Sequence, residues 1–262
     1  MSPRIVILSN QKGGVGKTTL TRELGIYLAS LGHRILFVDC DSQGNLSKSL
    51  LEETDGGLYE GIADGTGKLT VLEEGLSILT GDWRLSLLEK SLIGEIDAYT
   101  RIRDLLAERS FSEFDFIFLD TPPSLGVLTV NALAAATHLV IPMNPSLYSM
   151  QGTNDLMRTV SKVRANLNPT LSFLGVIINA YDSVPVITRQ IREEIERSFG
   201  DKVFATVLSK SIRIEEAIAS RQGVIHHKHL GASRAREEVR ALGDELLRRL
   251  GAPVAPEVSH DD

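Results

Sequence analysis

Nine residues near the start of the chain, Gln11-Lys12-Gly13-Gly14-Val15-Gly16-Lys17-Thr18-Thr19, join an apolar run to a segment of helical period. In the order strand, glycine loop, helix, backbone amides can curl around a phosphate: glycines remove Cβ clashes, and the helix N-terminus adds partial positive charge. In that frame Gly13, Gly14, Val15, Gly16, Lys17, Thr18 and Thr19 form the cradle, Lys17 reaches β and γ phosphates, and the Thr18 hydroxyl coordinates Mg2+. The strict pattern G-x4-G-K-[ST] needs glycine at position 11; here that place is Gln11, and an extra lysine, Lys12, follows it. Carboxylates stand at the ends of two other apolar runs, Asp39 and Asp41 in Val38-Asp39-Cys40-Asp41, and Asp120 after Phe116-Ile117-Phe118-Leu119. Alternation along an extended segment sets Asp39 and Asp41 on one side, toward the phosphates, with turn or capping residues as the competing reading. Asn179 closes a further run, Val176-Ile177-Ile178. Its amide has the donor and acceptor to pair with adenine, or to form a turn.

The elements that must position these groups alternate in type. Ile5 to Ser9, Ile35 to Val38, Phe116 to Leu119, Leu139 to Pro142, Leu174 to Ile178 and Val203 to Val207 read as strands buried on both faces, with Leu76 to Leu79 a weaker seventh. Helical period marks Thr18 to Leu31, Thr100 to Arg109, Gly126 to Ala136, Gln151 to Asn166, Val186 to Phe199, Arg213 to Arg221 and Ser233 to Leu250. Such alternation predicts an α/β fold, a doubly wound, mostly parallel twisted sheet with helices on both faces. The glycine-rich residues 54–70 read as a surface excursion, residues 1–250 as a single domain and residues 251–262 as a flexible tail.

Composition removes several classes. The 262 residues carry 28 Lys and Arg against 34 Asp and Glu, a formal charge of −6, which does not suit a basic nucleic-acid coat. One cysteine, Cys40, makes no intrachain disulfide and no zinc or iron–sulfur ligand set, which fits the cytosol. No run approaches 18 apolar residues, so neither a signal peptide nor a spanning helix is expected. His226-His227-Lys228-His229 lacks an accompanying carboxylate or thiol, a poor zinc site, and reads as a surface turn or an auxiliary DNA contact.

The run Lys12-Gly13-Gly14-Val15-Gly16-Lys17-Thr18-Thr19 resembles the deviant Walker A motif of the ParA/MinD group of P-loop ATPases, whose signature lysine corresponds to Lys12. The resemblance implies ATP and Mg2+ as cofactors and a homodimer with ATP sandwiched, Lys12 crossing the interface to the partner's nucleotide and acting in catalysis beside Lys17. Asp39-Cys40-Asp41-Ser42-Gln43-Gly44-Asn45 resembles the family's D-x-D-P-Q-G-N segment with Ser42 in place of proline. It implies that Asp41 positions or deprotonates the attacking water and that Asp39 lies near Mg2+ and Thr18. Asp120-Thr121-Pro122-Pro123 looks like a Walker B end with a D-x-P-P switch, which implies that Asp120 holds Mg2+ through water. Asn179 matches the family's adenine contact, and Val207-Leu208-Ser209-Lys210 its I-P-R stretch, so Ser209 lines the other side of the base.

Val130-Asn131-Ala132-Leu133, residues 175–182 and Ser211 to Ala217 are closest to the ParA or Soj partition branch, and the match begins at Arg4 with no preceding operator-binding extension. That branch implies a weak ATPase that binds double-stranded DNA non-specifically on the nucleoid in the cytoplasm, with a ParB-like partner. Residues 185–250 hold 13 Lys and Arg against 10 Asp and Glu, the remainder 15 against 24, so the positive excess is local. Arg189, Arg192, Lys210 and Arg213 are the DNA-binding candidates, with Arg221, Lys228, Arg234 and Arg236 behind them. Two alternatives share the ATPase: a nucleoid-bound positioner of a protein cargo, and a MinD-like membrane-associated division-site regulator, which the acidic PEVSHDD ending disfavours.

Overall fold

The computed structural model describes residues 2–146, 149–182, 184, 186–227 and 233–253. Among these residues seven strands form one sheet: β1 (Arg4–Leu8), β2 (Ile35–Asp39), β3 (Thr70–Glu73), β4 (Leu76–Leu79), β5 (Phe116–Asp120), β6 (His138–Met143) and β7 (Ser172–Ile178). Their order across the sheet is β3-β4-β2-β5-β1-β6-β7, parallel throughout except for β3, which runs antiparallel to β4. Among the described residues ten α-helices surround it: α1 (Lys17–Ser30), α2 (Asn45–Leu50), α3 (Gly57–Asp64), α4 (Arg84–Ser91), α5 (Arg101–Leu106), α6 (Val127–Ala135), α7 (Ser149–Asn166), α8 (Val186–Phe199), α9 (Ile212–Ala219) and α10 (Arg234–Arg249).

Strand alternation divides the core in two. Ile7, Leu36, Val38, Ile117 and Leu119 face Leu58, Leu85, Ile102, Leu133 and Leu156 of α3 to α7, while Val6, Leu8, Phe37, Phe116 and Phe118 face Leu24, Leu28, Ile214, Val239 and Leu246 of α1, α9 and α10. Both faces being covered is why β2 and β5 read as unbroken apolar runs. Gly25 lets α1 lie directly on β2, since a Cβ there would stand 2.2 Å from the Phe37 ring. Within α1, Arg22 and Glu23 form a fully buried ion pair, and Glu23 Oε2 accepts the Val224 amide at 2.8 Å, tying α1 to the segment between α9 and α10.

Three expectations change. Residues 54–70 are not a surface excursion: they contain α3, whose Leu58 and Ile62 are buried. The Thr80 hydroxyl organises its start, donating to Asp55 and accepting from the Gly57 amide, so polar residues there serve the core. Val203 to Val207 does not form a strand. Phe204 and Leu208 donate to Val176 and Ile178 of β7, but the Ala205 and Thr206 amides go to the Glu245 carboxylate, which leaves isolated bridges. Strand β3 and helices α2 and α4 carry no strong periodicity and appear only in the structure. Of the tail expected at 251–262, residues 254–262 lie outside the described residues.

Candidate active site

Parallel strands bring the carboxyl ends of β4, β2, β5, β1, β6 and β7 to one edge of the sheet, and the glycine loop follows β1 near its middle. The loop is strapped to β6. Asn10 Nδ2 donates to Pro142 O at 2.7 Å, Asn10 Oδ1 accepts the Lys12 amide, and Asn144 Nδ2 donates to Gly14 O at 3.0 Å. Gly13 and Gly14 are exposed at the crest, Val15 is buried beneath them, and Thr19 is half-buried in the first turn of α1. Gly16 takes φ +87, and a Cβ there would lie 1.9 Å from Asn179 Nδ2, so a side chain is excluded twice over. Asn179 is thus buried against the loop, its amide donating to Val15 O at 2.8 Å.

The two lysines diverge. Lys17 is buried with Nζ donating to Lys12 O at 3.2 Å; desolvation lowers its pKa, and the Asp120 and Asp41 carboxylates oppose that shift. Lys12 is half-buried, its ammonium donating to Ser146 Oγ at 2.5 Å.

Asp120 lies on β5 opposite Asp39 of β2. Its Oδ2 accepts the Thr18 hydroxyl at 2.6 Å, while its Oδ1 is buried and has no partner among the described residues. Burial pushes the Asp120 carboxyl well up, and the neighbouring Asp39 charge adds to the shift. A buried acceptor without a donor, beside Thr18 and a second carboxylate, fits a divalent cation held by oxygen ligands and water. Thr18 and Asp120 therefore suit Mg2+. Asp39, beside Asp120 in the sheet, gives its oxygens to the following loop. Oδ2 accepts both the Ser47 amide (2.8 Å) and the Ser47 hydroxyl (2.7 Å), and Oδ1 accepts the Asp41 amide at 3.2 Å. Burial raises the Asp39 carboxyl to about 6, against these hydrogen bonds. Asp41, also buried, accepts the Gln43 amide at 2.9 Å. Pro123 stands over Gly13, whose Cβ would lie 4.0 Å from the proline Cβ.

Ser209 pairs with Tyr181, two residues beyond Asn179, and its amide and hydroxyl donate to Glu238 (2.8 and 2.7 Å), which also pairs with Arg234. Tyr181, Asp182, Val184, Ser209, Lys210 and Arg234 line a cavity of about 350 Å³ there. Arg189 and Lys210 are exposed and make no ion pair among the described residues, whereas Arg192 pairs with Glu196 over the Tyr181 ring and Arg213 pairs with Glu216. Arg221 pairs with Glu52, and Arg236 is held by the Val224 and His227 carbonyls. Lys228 and His229 lie outside the described residues. Sequence reasoning missed Ser47, Asn10 and Asn144. Asn144 ends an apolar run as Asn179 does, a usable signal; a serine such as Ser47 carries none.

A family model described as an AAA domain matches residues 3–173. The chain is 36% identical to the chromosome-partitioning ATPase Soj of Thermus thermophilus over 251 residues, 94% of this chain and 96% of that one. It is 36% identical to the chromosome partitioning protein ParA of Caulobacter vibrioides over 225 residues, 82% and 83% of the two chains. Among solved structures, a cobyrinic acid a,c-diamide synthase from Mycobacterium smegmatis with bound ATP analog and magnesium superposes with a TM-score of 0.81 at 28% identity, covering 95% and 96% of the two chains.

Proposed function

The chain belongs to the ParA/Soj family of partition ATPases, and on that footing we propose that it is a slow, Mg2+-dependent ATPase switch that moves a chromosome or plasmid. With ATP bound, two copies close on the nucleotide and the dimer holds double-stranded DNA without sequence preference. A ParB-type partner stimulates hydrolysis, and the separated monomers leave the DNA. The protein acts in the cytoplasm, on the nucleoid; among the described residues no helix is long and apolar enough to cross a membrane.

One observation carries this reading. Lys17 is buried within its own loop, and the Lys12 ammonium bonds instead to Ser146 after β6. A cation so placed is available to a phosphate outside its own cradle. About 4 Å from a phosphate oxygen, at an effective dielectric near 20, it gains roughly 4 kcal/mol before desolvation. That gain exists only while the triphosphate is present, so Lys12 makes association depend on ATP and offsets charge developing in the transition state. Mg2+, when bound by Thr18 and Asp120, neutralises phosphate charge. Lys17 holds the β and γ oxygens, the backbone of residues 13–19 encloses the phosphates, Asp41 orients or deprotonates the attacking water, and Asn179 with the Ser209 segment flanks the base. Arg189, Arg192, Lys210 and Arg213 supply the DNA contacts. At about three phosphates per subunit, a dimer has a log–log salt slope near −5, and a fourfold rise in salt weakens it about a thousandfold.

The test is light scattering on a sizing column with Mg2+ and ATP. The wild type elutes as a dimer; Lys12→Ala stays monomeric while still binding nucleotide. A Lys12→Ala dimer formed as readily as the wild type refutes the sandwich.

A further inference from the structure

Resting on the assignment of Asp41 to the attacking water, we propose that Ser47 is a positioning residue for the catalytic loop, acting through the Asp39 carboxylate. The loop from Cys40 to Gly44 leaves β2 and enters α2, whose first turn holds Ser47, and one buried cluster joins the two ends. The Ser47 hydroxyl donates to Asp39 Oδ2 at 2.7 Å, the Ser47 amide donates to the same oxygen at 2.8 Å, and the other oxygen, Oδ1, holds the Asp41 amide at 3.2 Å. Ser47 Oγ in turn accepts the Gly81 amide at 3.0 Å. Asp39 and Ser47 are both fully buried. A hydroxyl is required at position 47 because it must donate to a carboxylate and accept from an amide at once, which neither an aliphatic side chain nor an amine does.

The position of Gly81 completes the cluster. A Cβ there would stand 2.4 Å from Asp39 O and 3.0 Å from Asp41 O, so the chain after β4 lies flat against the backbone of the catalytic loop. Asp39 and Ser47 being fully buried, loss of the hydroxyl leaves the Gly81 amide without its acceptor and Asp39 with one donor fewer. The Asp41 amide then loses a fixed anchor. None of Lys17, Thr18, Asn179 or the glycine loop bonds to Ser47, so the consequence falls on the hydrolytic step and not on nucleotide affinity. Trp83, the single tryptophan, lies two residues beyond Gly81 and is largely exposed, which gives an optical report on the same segment.

The experiment measures steady-state ATP hydrolysis and ATP affinity for Ser47→Ala, Ser47→Thr, Asp41→Ala and the Ser47→Ala/Asp41→Ala pair, all in the full chain with Mg2+. Ser47→Ala lowers kcat about tenfold, the equivalent of ~1.4 kcal/mol in barrier height, with KM changed less than twofold. Ser47→Thr restores kcat to within about twofold, and the double variant is no slower than Asp41→Ala alone. The change in Trp83 fluorescence on adding ATP shrinks in Ser47→Ala and returns in Ser47→Thr. An unchanged kcat in Ser47→Ala, a threonine variant that fails to restore it, or losses that multiply with those of Asp41→Ala overturn the proposal. If Asp41→Ala itself turns over at the wild-type rate, the assignment of Asp41 fails instead. Should Ser47→Ala not fold, Ser47→Cys keeps the volume with a weaker hydrogen bond, and the same three outcomes are read on it.

Discussion

Asp39→Asn replaces a buried carboxylate by a neutral amide of the same shape. Burial raises the Asp39 carboxyl to about 6 from an ordinary 3.8, so between those values the folded chain holds a proton that the unfolded chain has released. Because the folded-state value is the higher one, the stability contributed by this group is fully present below about pH 4. It is lost as pH rises through about 6. A difference of about 2 in pKa corresponds to ~3 kcal/mol. Against that gain, the asparagine keeps one oxygen for Ser47 but turns its NH2 toward the Asp41 amide, which loses its acceptor at a cost of ~1 kcal/mol. The larger effect wins at high pH. Asp39→Asn is therefore more stable than the wild type by ~2 kcal/mol at pH 8, level with it at about pH 4.5, and ~0.5 kcal/mol less stable at pH 4. Urea unfolding of nucleotide-free protein in EDTA, followed by circular dichroism from pH 4 to 8, measures this directly. Parallel stability curves for the two proteins, or a variant less stable at pH 8, would refute the reasoning.

Asp41→Ala lowers ATP turnover by about 10²- to 10⁴-fold, the range for loss of a general base, and leaves the ATP-bound protein on DNA in a filter-binding assay; wild-type turnover contradicts its role. Arg213→Glu removes two phosphate contacts per dimer and makes the log–log salt slope of DNA binding less steep by ~2, while sizing with ATP still shows a dimer. An unchanged slope removes Arg213 from the interface. Glu23→Ala leaves the buried Arg22 guanidinium unpaired and the Val224 amide without its acceptor, destabilising the chain by ~3 kcal/mol or more in urea melts. A loss below ~1 kcal/mol there contradicts the buried pair.

The parts of the fold legible from sequence are those in which one force dominates. Strands β2 and β5, covered on both faces, are written as unbroken apolar runs, and the glycine loop announces itself because its chemistry restricts each position. Where several weak preferences compete, the text is silent. Helix α3 reads as a polar, glycine-rich stretch, since only Leu58, Ile62 and two glycines meet the core. The segment from Val203 to Ser209 has the composition of a strand, but the carboxylates of Glu245 and Glu238, at least 29 residues later, take its amides. Site geometry divides likewise. Thr18 and Asp120, read from two motifs of the resemblance, are joined by a hydrogen bond, whereas the bonds of Asp39 to Ser47 depend on a serine whose type is too common to stand out.

That same Glu245-capped segment has a bearing on how copies of the chain can meet. A sheet of seven strands has two edges along which another chain can add a strand. Here the β7 side is occupied by residues 203–209, whose free amides already point at carboxylates of α10. The β3 side is four residues long, carries an irregularity between Val71 and Glu73, and ends in two adjacent glutamates. Both lateral routes are blocked, so open-ended growth through the sheet is suppressed.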